Sequence, residues 1–314
     1  MKHFFIGIDI GGTNLRCALV DSVGVVCERR RCSSHIKEGR EAFCERILAE
    51  IAALQAAAFL HGGQVQAVGI GIPGLIGGDG LIHSSINMKP LEGFNLAAYV
   101  QAHTGIPAVS ANDANVVALG EQRFGAGRGY SSCMVITIGT GLGSGLILGD
   151  KLWTGSDGFA AEFGHITVDP EGLPCPCGNR GCLEQYVSAG ALVRFARDRM
   201  PEKAAVLMNA EIVAERARQG DAAALSAFDH LGHWLGIALA SLSNLLNIQA
   251  VVIGGGVAAS FDLLLPSLQQ NIQPRCFPQM YDRLVIVKSQ LGDDAGLLGG
   301  AALAETGLHA NIKV

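Results

Sequence analysis

The sequence predicts an α/β protein of two domains, and three observations carry that expectation. Strand-like apolar runs alternate with helical segments along the chain, which is the pattern of layered α/β architecture. The 314 residues exceed what one typical core organises. An uncommon unit of strand, Gly/Thr-rich turn and strand occurs twice, as FFIGIDIGGTNLRCALVD and as CMVITIGTGLGSGLILGDKLW. One glycine turn between strands is an ordinary hairpin, but two copies with Thr beside the glycines point to two domains of common ancestry.

The elements follow in order. After the first hairpin a helical stretch runs from Arg40 to Leu60, and QAVGIGIPGLI is a buried strand closed by a Gly-Pro turn. AVSANDANVVALGEQRFG reads as a short strand running into a helix that starts near Asp113 or Ala114. The second hairpin follows, then a cysteine-rich loop, then helices over Ser188–Met200, Ala210–Gln219 and Ala222–Leu246. QAVVIGGGVAAS is a strand whose glycine turn opens a helix, and RLVIVKSQLGDDAGLLGGAALA is a last strand and helix. No low-complexity linker is present, so the boundary is expected in the helix near 114–125. The expected domains are residues 1–115, completed by a C-terminal helix at about 297–314, and residues 116–296 carrying the cysteine loop.

Composition narrows the function. The chain is 49% hydrophobic with 42 glycines and 16% charged residues, and its net charge of -5 offers no footprint for nucleic acid or an anionic membrane. No apolar run reaches the 18 residues of a membrane span, and the N-terminus lacks the signature of a signal peptide, so a cytoplasmic protein is expected. Nine cysteines without a secretory signal imply thiols or metal ligands rather than a disulfide framework.

The glycine turns fit neither a Walker loop nor GxGxxG, because the glycines of GTGLGSG fall at 139, 141, 143 and 145 and a strand follows. Bare backbone amides in two such turns, with the hydroxyls of Thr13 and Thr140, suit anionic oxygens. Asp9, at the end of the first strand, is placed to hold Mg²⁺ directly or through water. Cys175, Cys177 and Cys182, spaced CxCxxxxC with His165 upstream, supply four N/S ligands for a closed tetrahedral, structural Zn²⁺. Redox chemistry is the rival reading, but its usual motif is CxxC. The remaining cysteines and histidines show no ligand grouping, and His230 and His233, three apart on a helix, are weak as metal ligands.

Together DIGGTNLR, IGTGLGSG, VVIGGGV, ANDAN, EFGH and CPCGNRGCLE resemble the ROK family of repressors and sugar kinases, from about Ile6 to about Ala304. The resemblance implies an RNase H-like, actin-like fold with ATP and a hexose held in an interdomain cleft. It implies that Gly11, Gly12, Thr13, Thr140, Gly141 and Gly143 contact phosphates, that Asn14 belongs with the first loop, and that Gly254, Gly255 and Gly256 border the nucleoside. Asn112-Asp113 matches the family's catalytic pair, making Asp113 the base that accepts the sugar's O6 proton; an N-cap role is the alternative for this Asp. Gly74, Asn112, Glu162, His165 and Glu184 match sugar-contact positions, and His165 can serve zinc through one ring nitrogen and the sugar through the other. The family's zinc ligands fall on the same four positions.

The implied activity is ATP-dependent phosphorylation of glucose at the 6-hydroxyl. Fructose, mannose, allose and N-acylhexosamines stay open, since SINMKPLEGFNL offers Asn87 but no Trp, and polyphosphate is an alternative donor. A repressor is disfavoured because only eight residues precede Asp9, and a non-catalytic sugar sensor because Asn112-Asp113 is intact. The apolar run 222–246 suggests a homodimer.

Overall fold

In the computed structural model, which describes residues 1–200 and 208–311, with side chains through 308, the order is β1 (Lys2–Ile10), β2 (Asn14–Asp21), β3 (Val26–Ser33), α1 (Arg40–Leu60), β4 (Gly63–Ile72), β5 (Leu75–Ile76), β6 (Ile82–Ser84), α2 (Leu96–Thr104), β7 (Ala108–Asn112), α3 (Asp113–Phe124), β8 (Cys133–Ile138), β9 (Leu142–Leu148) and β10 (Lys151–Trp153). Then come α4 (Ala189–Arg197), α5 (Ala210–Arg218), α6 (Ala222–Leu246), β11 (Ala250–Gly254), α7 (Phe261–Ile272), α8 (Pro278–Tyr281), β12 (Val285–Lys288) and α9 (Ala295–Asn311). The chain forms two units. Unit 1 comprises Met1–Ser131, Gly145–Ala161 and the chain from Gln290 onward; unit 2 comprises Ser132–Ser144 and Glu162–Ser289.

Each large sheet follows one plan. The first has the order β3-β2-β1-β4-β7, antiparallel from β3 to β1 and parallel from β1 to β7. The second has the order β10-β9-β8-β11-β12, with β8, β11 and β12 parallel. In each, a glycine-turn hairpin lies beside parallel strands joined through helices, as the paired motifs imply.

Strand alternation explains why unit 1 carries helices on both faces. Ile6, Ile8 and Ile10 of β1 enter one cluster with Phe43, Ile47, Ile51 and Leu54, which share one face of α1 at helical spacing. Phe5, on the other face, joins Ala18, Val20 and Ala67 and the α9 residues Leu297, Leu298 and Ala301. Helix α9 lies nearly on the strands themselves: a Cβ at Gly7 would come within 1.8 Å of the Leu297 carbonyl oxygen, and one at Gly69 within 1.9 Å of the Gly300 oxygen. Only glycine permits that approach.

Helix α3, expected at the domain boundary, belongs wholly to unit 1. It packs on α9, with Gly120 against Ala295 and Gly299 against Val116, so residues 116–131 stay with the first unit instead of opening the second. Residues 145–161 and 290–296 join it too. Glu121, fully buried near the end of α3, accepts hydrogen bonds from the backbone N–H groups of Ala126 (2.8 Å), Leu291 (3.1 Å) and Gln290 (3.4 Å). It thus ties down both the segment that leaves unit 1 and the one that returns. Glu121→Ala strands those donors and should lower the unfolding free energy by about 3 kcal/mol or more, read by urea denaturation. The Gln variant, which keeps one acceptor oxygen, should lose less; an Ala variant of unchanged stability would refute the clamp.

In unit 2, α6 directs Phe228, Leu231, Leu235 and Leu239 inward and packs on α4, α5 and α7. Much of the apolar run that prompted the expectation of a dimer is thus buried within the unit, while Leu225 and Leu245 stay exposed. Among the described residues no helix is long and apolar enough to cross a membrane.

Candidate active site

The first set of site residues gathers at the ends of β1, β4 and β7. The β1–β2 turn is closed by a hydrogen bond from the Gly11 N–H to the Asn14 carbonyl (2.8 Å), and Thr13 is held through its carbonyl by the Ser34 N–H (3.0 Å). A Cβ on Gly12 would sit 3.4 Å from Cβ of Asn87, which puts Asn87 beside this loop. Gly74, in the turn after β4, has φ +132° and no room for a Cβ, which would lie 2.3 Å from the Ser84 carbonyl oxygen. No other residue suits that backbone.

Asn112 ends β7, and it, not Asp113, caps α3. Its Oδ1 accepts from the N–H groups of Ala114 (2.9 Å) and Asn115 (3.1 Å), while its Nδ2 donates to the Gly74 carbonyl (3.0 Å). A side-chain amide has two N–H donors, and the bond to Gly74 takes one of them. Asp113 occupies the first helical position, its Oδ1 accepting from the Ala114 N–H (3.0 Å), where the helix end favours negative charge. The cap role that competed for Asp113 thus belongs to its neighbour.

Asp9 pairs across the hairpin with Arg16, whose Nε donates to Asp9 Oδ2 (2.9 Å) and whose Nη2 contacts the same oxygen. The donors fit Mg²⁺ as a monodentate site, since Mg²⁺ takes one or two carboxylates and otherwise water and phosphate oxygens. Arg16 carries no signal in spacing, and only the hairpin register reveals it.

Unit 2 holds the second set. Thr140 in the β8–β9 turn and Gly256 after β11 both line a cavity of about 420 Å³, walled by Leu192, Ala214, Phe228 and Val257 with Glu211 and Arg218 at polar positions. Gly255, at φ +83°, lies so close to Ile138 that a Cβ would be 2.5 Å from its carbonyl oxygen. The helical residues of this wall are not legible in the sequence, because they are scattered over three helices and a 3₁₀ segment and carry ordinary side chains. A larger cavity in unit 1, about 770 Å³ and lined by Gln101, Val109 and Leu308 among others, contains none of the expected site residues.

Glu162, His165 and Glu184 come together in the same unit. Glu162 precedes a 3₁₀ turn, Phe163–His165; burial pushes its carboxyl above the usual range, with His165 opposing and Glu184 adding to the shift. Glu184, in the 3₁₀ turn Leu183–Gln185, accepts from the Leu142 N–H (2.8 Å), and a Cβ on Gly141 would lie 2.4 Å from its Oε2. Gly164 packs against the Leu142 carbonyl oxygen, 2.4 Å from its Cβ position. The glycine hairpin of β8–β9 is thus met at Gly141 and Leu142 by the segments that carry the acidic residues.

His165, Cys175, Cys177 and Cys182 place their ligand atoms within 4.8 Å of one another. Cys177 Sγ lies 3.6 Å from Cys182 Sγ, and Cys175 Sγ lies 3.9 Å from His165 Nδ1. Zinc–sulfur bonds near 2.3 Å give a tetrahedron with edges of about 3.8 Å, whereas a disulfide would need about 2.05 Å. Asn179 Nδ2 points at Cys182 Sγ (3.4 Å) and Gln185 Nε2 at Cys175 Sγ (3.6 Å), the N–H···S support expected around metal thiolates. The residues fit a zinc ion. None of the nine cysteines is paired in a disulfide. His230, in contrast, stacks on Phe195 with centroids 3.9 Å apart, and burial pushes its pKa down to about 4; His233 Nδ1 bonds Asn271 Oδ1 (2.8 Å).

Comparison with known proteins gives a consistent result. The sequence pattern of the ROK family matches residues 5–307. A glucokinase of Streptomyces coelicolor is 37% identical over 316 aligned positions, covering 95% of this chain and 96% of the relative. The xylose repressor of Bacillus subtilis is 30% identical, covering 96% of this chain and 76% of the repressor. Among solved structures, a ROK glucokinase from Streptomyces griseus in complex with glucose and AMPPNP is 37% identical, with a TM-score of 0.80, 96% of this chain and 99% of that one covered.

Proposed function

The chain belongs to the ROK family and has its two-domain, actin-like α/β fold, and we propose that it is an ATP-dependent glucokinase that converts glucose to glucose 6-phosphate. The observation that carries this reading is the similarity, over nearly the whole length of both chains, to glucokinases, one of them solved with glucose and a nucleotide analogue. The local geometry supports it. Asn112 spends its oxygen on capping α3 and one N–H on Gly74, which orients the other N–H and sets Asp113 on a rigid helix start.

In the proposed reaction Asp113 accepts the proton of the 6-hydroxyl as that oxygen bonds to the γ-phosphorus and the bond to ADP breaks. Glu162, His165, Glu184, Asn112 and Gly74 orient the sugar. Gly11, whose own N–H closes the first turn, shapes that loop, and the amides of Gly12, Thr13 and Asn14 and of Thr140, Gly141 and Gly143 receive phosphate oxygens. Gly254 to Gly256 border the nucleoside, which the cavity of about 420 Å³ suits in size. Mg²⁺, held by Asp9, would neutralise charge on the transferring phosphoryl group. His165, Cys175, Cys177 and Cys182 hold a structural zinc, whose four protein ligands leave no position for catalysis.

A coupled assay of ADP release with ATP and Mg²⁺ across glucose, mannose, fructose, allose and N-acetylated hexosamines tests the reading. The expected result is the highest kcat/KM for glucose. A higher value for another hexose reassigns the substrate, and no ADP release with any sugar removes the kinase.

A further inference from the structure

The Arg16–Asp9 pair has a consequence for how the protein takes its divalent cation. Both contacts from the guanidinium, through Nε and Nη2, converge on Oδ2 of Asp9, and Nη1 donates to the Asp293 carbonyl (3.2 Å). Arg16 is thereby fixed by acceptors from two elements, β1 and the turn before α9. The carboxylate also faces the first turn of α9, where the Cβ position of Gly296 lies 2.9 Å from Asp9 Cγ. Its charge is met by a guanidinium and by the positive end of a helix at once. Asp9 and Arg16 are 16% and 33% exposed in their side chains, so solvent screens this cluster only in part.

The geometry points to Arg16 as a positioning residue that holds Asp9 to a single ligating oxygen and suppresses binding of the free cation. Oδ2 is committed to the fork, and Oδ1 alone is presented. A lone carboxylate oxygen beside a fixed positive charge draws Mg²⁺ weakly, so the metal is taken up as a metal–nucleotide complex whose phosphates supply the missing negative ligands. The inference rests on the reading of Asp9 as the metal-side carboxylate, and it is independent of which hexose is the acceptor.

The test uses zinc-replete protein without sugar or nucleotide, with Mn²⁺ binding measured by electron paramagnetic resonance. Arg16→Gln should bind Mn²⁺ about tenfold more tightly than the wild type, because a unit charge a few ångströms from the cation is removed. The gain should vanish in the Arg16→Gln, Asp9→Asn double variant. Arg16→Lys retains the charge without the fork and should lie between the two; circular dichroism checks that each variant is folded. Equal Mn²⁺ affinity in folded Arg16→Gln and wild type overturns the inference, as does a gain that survives loss of the Asp9 charge. Should Arg16→Gln instead weaken nucleotide binding in chelator while leaving Mn²⁺ affinity unchanged, Arg16 is a phosphate ligand and the inference fails. Loss of glucose phosphorylation does not bear on any of these readings.

Discussion

Asp113→Asn should lower kcat for glucose phosphorylation by about 10²- to 10⁴-fold, the range that a positioned general base contributes. The substitution is nearly isosteric, and Asn at the first helical position still offers an oxygen to the Ala114 N–H. Helix α3 keeps its cap because that task falls to Asn112. Folding and glucose affinity should therefore change little, and the loss should appear in turnover. This separates the two roles that an Asp at a helix start can have. A structural Asp is replaced by Asn at small cost, whereas a base cannot be, because a neutral amide accepts no proton at neutral pH. The measurement is steady-state turnover beside a glucose dissociation constant for the same preparation. A folded Asn variant with near wild-type kcat would remove Asp113 from the chemistry.

The sequence made the parts with strong periodicity legible. Helix α1 has the bounds read from the sequence, since Phe43, Ile47, Ile51 and Leu54 repeat at helical spacing between a glycine and a Gly-rich turn. Both hairpins and the strands β4, β7 and β11 are apolar runs closed by glycine or a cap residue, and they were equally clear. Strand β3 was not, because VCERRRCS carries arginines on its solvent face at the edge of the sheet, and edge strands tolerate such charge. Helix α2 also escaped, since LAAYVQAHT is short and its cap, Asn95, sits in a stretch that reads as loop.

The site shows the same division. Loop residues with unusual chemistry, such as the glycines of the two turns and the three cysteines, advertise themselves by type and spacing. Residues whose role depends on partners distant in sequence do not. Glu121 is one carboxylate among many until Leu291 is seen to bond it, and Arg16 is a strand arginine until its register opposite Asp9 is known. Glu184 was expected to be a sugar contact, but nothing in GCLE announces that it also holds the Leu142 amide. Helix α3 was misplaced as a boundary for a related reason: the glycine contacts that bind it to α9 join residues nearly 180 positions apart.

Cys177→Ser should abolish zinc binding and weaken glucose affinity by about tenfold or more. Cys177 is exposed, so its thiol contributes little packing, and a serine of similar size disturbs the apolar core least. What the variant loses is a metal ligand. The loop from 166 to 186 is otherwise held by turns: the Cys175 N–H to the Asn179 carbonyl (2.8 Å), the Gly178 N–H to the Cys175 carbonyl (3.0 Å), and the pairing of Thr167 with Cys182. Such a loop lacks a core of its own, and a tetrahedral ion supplies the missing cross-links. Its ligands flank the groups proposed to bind sugar, with His165 itself in the set and Glu184 two residues beyond Cys182. Through the bond from Leu142 to Glu184 the same loop steadies the Gly141 turn, so the KM for ATP should rise as well, by less than the loss in glucose affinity. Asp113 lies in unit 1 and is not among the groups this loop carries, so saturating both substrates should restore much of kcat. Zinc stoichiometry by atomic absorption, beside glucose affinity by calorimetry, decides the matter. A metal-free variant that binds glucose with wild-type affinity would show that the cysteines stabilise a loop with no bearing on the sugar. A variant with weakened glucose affinity and unchanged KM for ATP would sever the proposed link from the zinc loop to the phosphate turn while leaving the link to the sugar intact.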